Sequence, residues 1–293
     1  MSFKEIKARI ASVKSTRKIT SAMRLVSTIK LKKSQRLAET VSPYAEELDK
    51  MMKHLLSTGS FADNSLLVPR TVKRVAVVAF SANNSLCGGF NSNMIRHFNI
   101  MLEQLQQECE YKPIIFPVGE KISFFAKKMG LEIDSTFVNL AEKQDMAQAS
   151  ELSNRLLELY LQGICDKVII TYTHFKSVAN QVIVDRTFLP VIHSNQEIKK
   201  AHQSGFGPEG IDYIFEPSAK EIFNSLLPIS LKMKIYSAAV ESYVSEQAAR
   251  VVAMRMATDN ADKLVDELVL KYNKTRQQAI TNELLDIFGG TVR

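Results

Sequence analysis

The chain has no run of eighteen apolar residues, so no membrane-spanning helix is predicted. Cysteine is scarce. Cys87, Cys109 and Cys165 show no CxxC spacing, and an odd, scattered set is a poor basis for a disulfide framework, which points to a reducing compartment. Eleven glycines and eight prolines in 293 residues are too few to suggest disorder, and 45% hydrophobic content is enough to bury at least one proper core. Helical periodicity begins at the N-terminus itself, so no cleaved targeting segment is expected. Chemical motifs are missing as well. His54, His97, His174, His193 and His202 have no metal-ligand spacing, no serine sits in GxSxG, and no GxxxxGK[ST] occurs. Gly205, Gly207 and Gly210 reproduce the spacing of the dinucleotide fingerprint. The last strand ends well before them, however, and Pro208 stands where a phosphate-binding helix would start, so a flexible loop is the expectation. Cys87 has no base nearby and reads as a small buried apolar residue. No constellation for catalysis, metal or cofactor is left.

What the chain does have is a seam. Alternating steps of four and three residues pass through Met233, Ser237, Val240, Val244, Gln247, Val251, Met254, Thr258, Ala261, Val265, Leu268, Tyr272, Thr275 and Ala279 without meeting a charge. An uncharged stripe every 3.5 residues is the mark of a helix that coils around a partner. A helix of that length reaches roughly 70 Å. A compact globule of this size has a radius of gyration of about 19 Å, so the helix is expected to project from any packed body.

The net charge of +7 is unevenly spread. Residues 1–36 hold eleven Lys/Arg against one acid, Glu5, whereas from residue 240 onward seven bases meet eight acids. A solvated face explains mixed charge well but this imbalance poorly, so the N-terminal segment should seek an acidic partner. Nucleic acid would be attracted, yet no aromatic residue lies between Lys4 and Arg36 to stack on bases. An acidic protein surface around a rod accounts for both charge and seam. The segment itself reads as helix over 3–56. Its apolar runs are Phe3, Ile6, Ile10, Val13; then Ile19, Ala22, Val26, Ile29; then Leu37, Val41, Tyr44, Leu48, Met51, Leu55. Between runs the phase slips, predicting a stripe that shifts around the helix. Pro43 is expected to kink it, or Ser42 to cap a new helix.

Between the two helices the pattern changes. Short β-branched runs at 73–80, 113–118, 131–138, 167–173 and 181–189 alternate with helical stretches at 91–110, 120–129 and 144–162. That alternation predicts βαβ units and a mainly parallel sheet. The last two strands are joined too tightly for a crossover and should pair antiparallel. The turn from Ser81 to Gly89 follows the first strand, where open α/β sheets usually bind ligands. A loop from about 193 to 210 then leads back to a helix restarting near Pro217, with Pro228 as a further bend.

Several motifs, in order, carry a resemblance. Ile10-Ala11-Ser12-Val13-Lys14, Lys18-Ile19-Thr20-Ser21-Ala22-Met23 and Lys33-Ser34-Gln35 open the chain. Leu86-Cys87-Gly88-Gly89-Phe90-Asn91 stands in its middle. Ser245-Glu246-Gln247-Ala248-Ala249-Arg250, Ala257-Thr258-Asp259-Asn260, Tyr272-Asn273-Lys274-Thr275-Arg276-Gln277 and Ile280-Thr281-Asn282-Glu283-Leu284-Leu285-Asp286 close it. Together they resemble the gamma subunits of F-type ATP synthases. Two departures stand out: Gly290-Thr291 replaces the usual Gly-Ala, and the acid and glycine common before Leu-Cys-Gly are Asn83 and Ser85 here.

The resemblance implies a rotor shaft without catalytic residues or cofactor. Two terminal helices would form an antiparallel coiled coil inside a ring of three alpha and three beta subunits. A central Rossmann-like α/β domain would sit beside the epsilon subunit and the membrane c ring. The implied division is a coiled-coil helix at 1–58, an α/β domain at 71–193, a connecting loop at 194–215 and a second coiled-coil helix at 216–288. Arg276, Gln277 and Thr281 would catch on beta-subunit loops with support from Glu283, and Met23 would pass beside an acidic beta loop. Tyr213 and Glu216 would lie at the epsilon and c-ring foot. No direct nucleotide binding and no nucleic acid are implied. The location would be peripheral, at the cytoplasmic face of a bacterial membrane, and thiol regulation is not expected. A nucleic-acid-binding coiled coil, or an α/β enzyme with a ligand after Phe80, are the competing readings.

Overall fold

The computed structural model describes residues 3–58, 65–68, 70–191 and 215–290. The element order is α1 (Phe3–Thr58), β1 (Val75–Phe80), α2 (Phe90–Glu108), β2 (Ile114–Val118), α3 (Glu120–Lys128), β3 (Glu132–Ile133), a 3-10 turn (Val138–Ala141), α4 (Met146–Leu161), β4 (Lys167–Phe175), β5 (Gln181–Leu189) and α5 (Ala219–Gly290). The chain divides into two compact units. One comprises Met1–Ile29 with Arg250–Arg293, the other Lys30–Ala249.

The larger unit is built on one five-stranded sheet in the order β3-β2-β1-β4-β5. All pairs are parallel except the β4–β5 hairpin, as the short connection between those strands predicts. β1 shows why both faces must be covered. Val75, Val77 and Ala79 join Met94, Phe98 and Leu102 of α2 and Ile122 of α3 in one core. Ala76, Val78 and Phe80 alternate to the other face, against Leu152 and Leu156 of α4, Met52 and Leu55 of α1, and Phe223, Leu227, Leu231 and Ile235 of α5. A strand sandwiched this way has no solvent side, which is why its sequence is a nearly continuous apolar run.

Local chemistry sets the element ends. α5 starts where Ser218 and Glu221 have the capping-box spacing, and the Glu221 N–H donates to Ser218 Oγ at 3.2 Å. Asp145 caps α4 by accepting from the Ala147 N–H at 3.0 Å. β3 is only two residues long, against the 131–138 expected. Asp134 folds the chain away at once, its Oδ1 accepting from both the backbone N–H and the hydroxyl of Thr136. Pro43 and Pro228 both lie inside helices that run on past them, so Ser42 opens no new helix. The glycine motif at 205–210, His193 and His202 lie outside the described residues.

The smaller unit is an antiparallel helix pair. Phe3 stacks on Tyr272 with ring centroids 4.6 Å apart, Arg17 pairs with Asp262, and Thr20 meets Thr258 at 2.9 Å. One partner number rises as the other falls, which fixes the direction. On α5 the uncharged seam faces inward as the spacing predicts: Met254, Thr258, Ala261 and Leu268 are buried.

On α1 the reading of three drifting runs is corrected. Ile6, Thr20 and Ser27 are the buried residues of this unit's α1 segment, with Val13 half-buried on the same seven-residue step. Ile19, Leu25, Val26 and Ile29 are each more than half exposed. The step continues through Ser34, Val41, Leu48 and Leu55, all buried in the larger unit, while Tyr44 and Met51 are exposed. The heptad never slips; its middle positions are hydroxyl-bearing instead of aliphatic, so a search for apolar side chains followed the wrong face.

Candidate functional site

The turn after β1 is where an α/β sheet would hold a phosphate, on backbone N–H groups at helix N-termini. Here the protein fills that place itself. The N–H groups of Glu120 and Ile122 at the start of α3 donate to Asn83 Oδ1 and Ser81 Oγ, each at 3.0 Å. Asn91 in the first turn of α2 bends back to accept from the Ala82 N–H at 3.0 Å and to donate from Nδ2 toward Cys87 Sγ at 3.1 Å. Gly119 (φ +112°) runs so close to β1 that a Cβ there would lie 2.2 Å from the Ser81 carbonyl oxygen. The buried trio Ala82, Cys87 and Phe90 packs against Ala249 of α5. The Leu-Cys-Gly-Gly-Phe-Asn turn is therefore a docking element that seats the α/β domain on the long helix.

Other ties secure the same seat. His174 Nδ1 lies 2.5 Å from Glu241 Oε2 and Ser245 Oγ donates to the Thr173 carbonyl at 2.9 Å, while Lys234 Nζ, 3.4 Å from Asp49, ties α5 to α1. Tyr172, buried beside them, has its phenol pushed up to about 12, first by burial and then by the charge of Glu241, with Arg186 opposing. Burial likewise pushes the Cys165 thiol up to about 11, the opposite of what a nucleophile needs. His97 pairs with Asp185 at 2.8 Å. Among the described residues, no three His, Cys, Asp or Glu side chains come together as a metal set would, and no helix is long and apolar enough to cross a membrane.

The far end of the helix pair presents a different surface. The described part of α1 begins at Phe3, which stacks on Tyr272, so among the described residues no helix runs beside α5 beyond Thr275. Residues 276–285 are exposed on every side. That overhang carries Arg276, Gln277, Thr281 and Glu283 together within two turns, with the Thr281 hydroxyl donating to the Gln277 carbonyl at 2.9 Å. It also carries Ile280, Leu284, Leu285 and Ile287, each between 44% and 63% exposed. Met23 sits half-buried on α1, apart from this group in sequence but on the helix whose Ile19, Leu25, Val26 and Ile29 face solvent. Glu216 is exposed just before α5, and Tyr213 lies outside the described residues. Sequence reasoning missed both sets of exposed apolar side chains. The regular recurrence of uncharged residues at 6, 13, 20 and 27 would have revealed the set on α1, because it assigns Ile19 and Val26 to the outer face.

The basic N-terminal helix offers no platform for bases. Phe3, its only aromatic residue before Tyr44, is occupied by Tyr272, and Arg17 is drawn toward Asp262. Exposed aliphatic residues beside lysines suit a protein sleeve better than a phosphate backbone.

Comparison with known proteins gives a consistent picture. A family described as ATP synthase matches residues 2–292. An ATP synthase gamma chain from Bacteroides thetaiotaomicron is 44% identical over 100% of this chain and 99% of its own length. One from Heliobacterium modesticaldum is 37% identical over 98% and 97%. Among solved structures, the rotor of the Euglena gracilis mitochondrial ATP synthase aligns with a TM-score of 0.62 at 18% identity, covering 95% of this chain and 98% of that one. A second Euglena structure, of the OSCP/F1/c-ring assembly, aligns at 0.64 over 99% and 93%.

Proposed function

Since the chain belongs to the ATP synthase gamma-chain family, we propose that it is the central shaft of an F-type ATP synthase, turning with the membrane c ring inside a ring of three alpha and three beta subunits. The single observation that carries this reading is the exposed end of α5, which holds four large apolar side chains and a compact polar group. Each of those apolar residues keeps about half its surface in water, so a surrounding sleeve would gain roughly 1 kcal/mol apiece by covering it. Arg276, Gln277 and Thr281, supported by Glu283, form the catch for the beta subunits, and Met23 passes an acidic beta loop. The uneven charge of α1 makes the axle touch each neighbour differently, and only such differential contact can bias one catalytic site over another.

The chain is a subunit of the complex, and in this reading it performs no chemistry. ATP forms on beta, while gamma contributes position. Residues 1–58 and 216–288 serve as the shaft, 71–193 as the seat for epsilon and the c ring, and 194–215 as the loop near the foot, with Tyr213 and Glu216 beside it. The complex stands at the cytoplasmic face of a bacterial membrane. The test is reconstitution: purified chain mixed with alpha and beta subunits is expected to enter each hexamer as one copy and to support ATP turnover. Absence of incorporation, or several copies per ring, would refute the assignment.

A further inference from the structure

The catch and the tie that backs it lie at different heights on α5. Arg276 is eighteen residues beyond Thr258, about 27 Å along a helix. Any push delivered to the overhang acts on α5 at a point beside which no described residue of α1 lies. The smaller unit must therefore resist sliding of one helix along the other. Its apolar contacts, Ile6 on α1 and Met254, Ala261 and Leu268 on α5, oppose separation, but area burial changes little when helices shift lengthwise by a fraction of a residue. A hydrogen bond changes steeply over the same distance.

We propose that Thr20 and Thr258 are positioning residues for coupling: a buried hydroxyl tie that holds α5 in axial register against α1 while the catch bears load. This rests on the rotor reading above. Both side chains are buried and their oxygens are 2.9 Å apart. Thr20 Oγ1 also lies 3.0 Å from the Arg17 carbonyl, and Thr258 Oγ1 lies 2.8 Å from the Met254 carbonyl. Two hydroxyl hydrogens serve three contacts, so one threonine donates across to the other, which donates to its own backbone. Arg17 and Asp262, one turn away on each helix, add a second link. Its side chains are about half exposed, where screening leaves an ion pair little value, so the buried hydroxyls are the stiffer element.

Removing either hydroxyl abolishes the cross-link and leaves the survivor donating to its backbone, so Thr20→Val, Thr258→Val and the double variant should behave alike. Valine keeps the volume; serine keeps the bond. The experiment uses the whole complex in vesicles and measures protons pumped per ATP hydrolysed against an opposing gradient. Each valine variant should assemble as the parent does, with no more than a small drop in melting temperature, while the ratio falls about fivefold, the factor one net hydrogen bond supplies. The double serine variant should retain it. Parental pumping by the double valine variant, additive losses from the two single variants, or an equal loss in the serine pair would overturn the tie. Failure of the unaltered chain to enter the ring would instead overturn the rotor reading and the tie with it.

Discussion

Replacing Gly119 by alanine tests whether the crevice after β1 is truly filled by the protein. The added Cβ would stand 2.2 Å from the Ser81 carbonyl oxygen, 2.5 Å from its hydroxyl and 2.7 Å from its carbonyl carbon. Two of these are backbone atoms at the end of β1, where the Ser81 N–H donates to the Val118 carbonyl at 2.7 Å, so no side-chain rotation relieves the clash. A backbone conformation that alanine tolerates poorly adds about 1–3 kcal/mol. Overpacking adds about 1–3 more, and losing the Ile122 to Ser81 bond about 1. The expected loss is roughly 3–7 kcal/mol. Gly130→Ala is the control: it shares a positive φ, +64°, but has nothing within 4 Å, so strain alone should cost about 1 kcal/mol. Circular dichroism would be dominated by the two long helices. Hydrogen exchange of the β1 and β2 amides is the better assay, and a gap of about 3 kcal/mol between variants appears there as a more than hundredfold difference in opening. Equal protection in the two variants would show that the crevice has room to spare, and the case against a ligand there would collapse.

Three further outcomes are expected. Asn83→Ala should cost the α3 N-terminus about 1 kcal/mol, read as faster exchange at the Glu120 amide; an unchanged rate would deny it a capping role. Tyr172 keeps its proton in the folded state to about pH 12 against 10.0 ordinarily, so the unfolded chain releases it first and stability is lost as pH rises between the two values. Tyr172→Phe should therefore remove one tyrosinate transition near pH 12 and blunt alkaline destabilisation by on the order of 2–3 kcal/mol; a missing transition near pH 10 would contradict the burial argument. Met23→Lys should add an ion pair to an acidic beta loop at one rotary position, lowering proton pumping per ATP more than assembly. Normal pumping at a normal hydrolysis rate would refute it.

Most of the sheet was legible because burial on both faces leaves a plain mark: Val75 to Phe80 can be little else. α5 was legible for a related reason, since its seam excludes charge over many turns. α1 was read in the right place and on the wrong face between residues 19 and 29. Its inward positions there are Thr20 and Ser27, whose polarity disguises burial, while Ile19, Leu25, Val26 and Ile29 advertise a core they do not join. Local hydrophobicity misleads at a surface kept apolar for another molecule. β3 failed differently. Its run of suitable residues is cut short by the Asp134 to Thr136 side-chain turn, a bond whose formation depends on how the preceding strand is held.

The exposed stretch past Thr275 carries a thermodynamic obligation. A lone helix of about fifteen residues is only marginally stable in water, so its order must be supplied by whatever encloses it. Part of the assembly energy is then spent on straightening this tip, and a probe of backbone protection there would report how firmly the shaft is gripped at each stage of a turn.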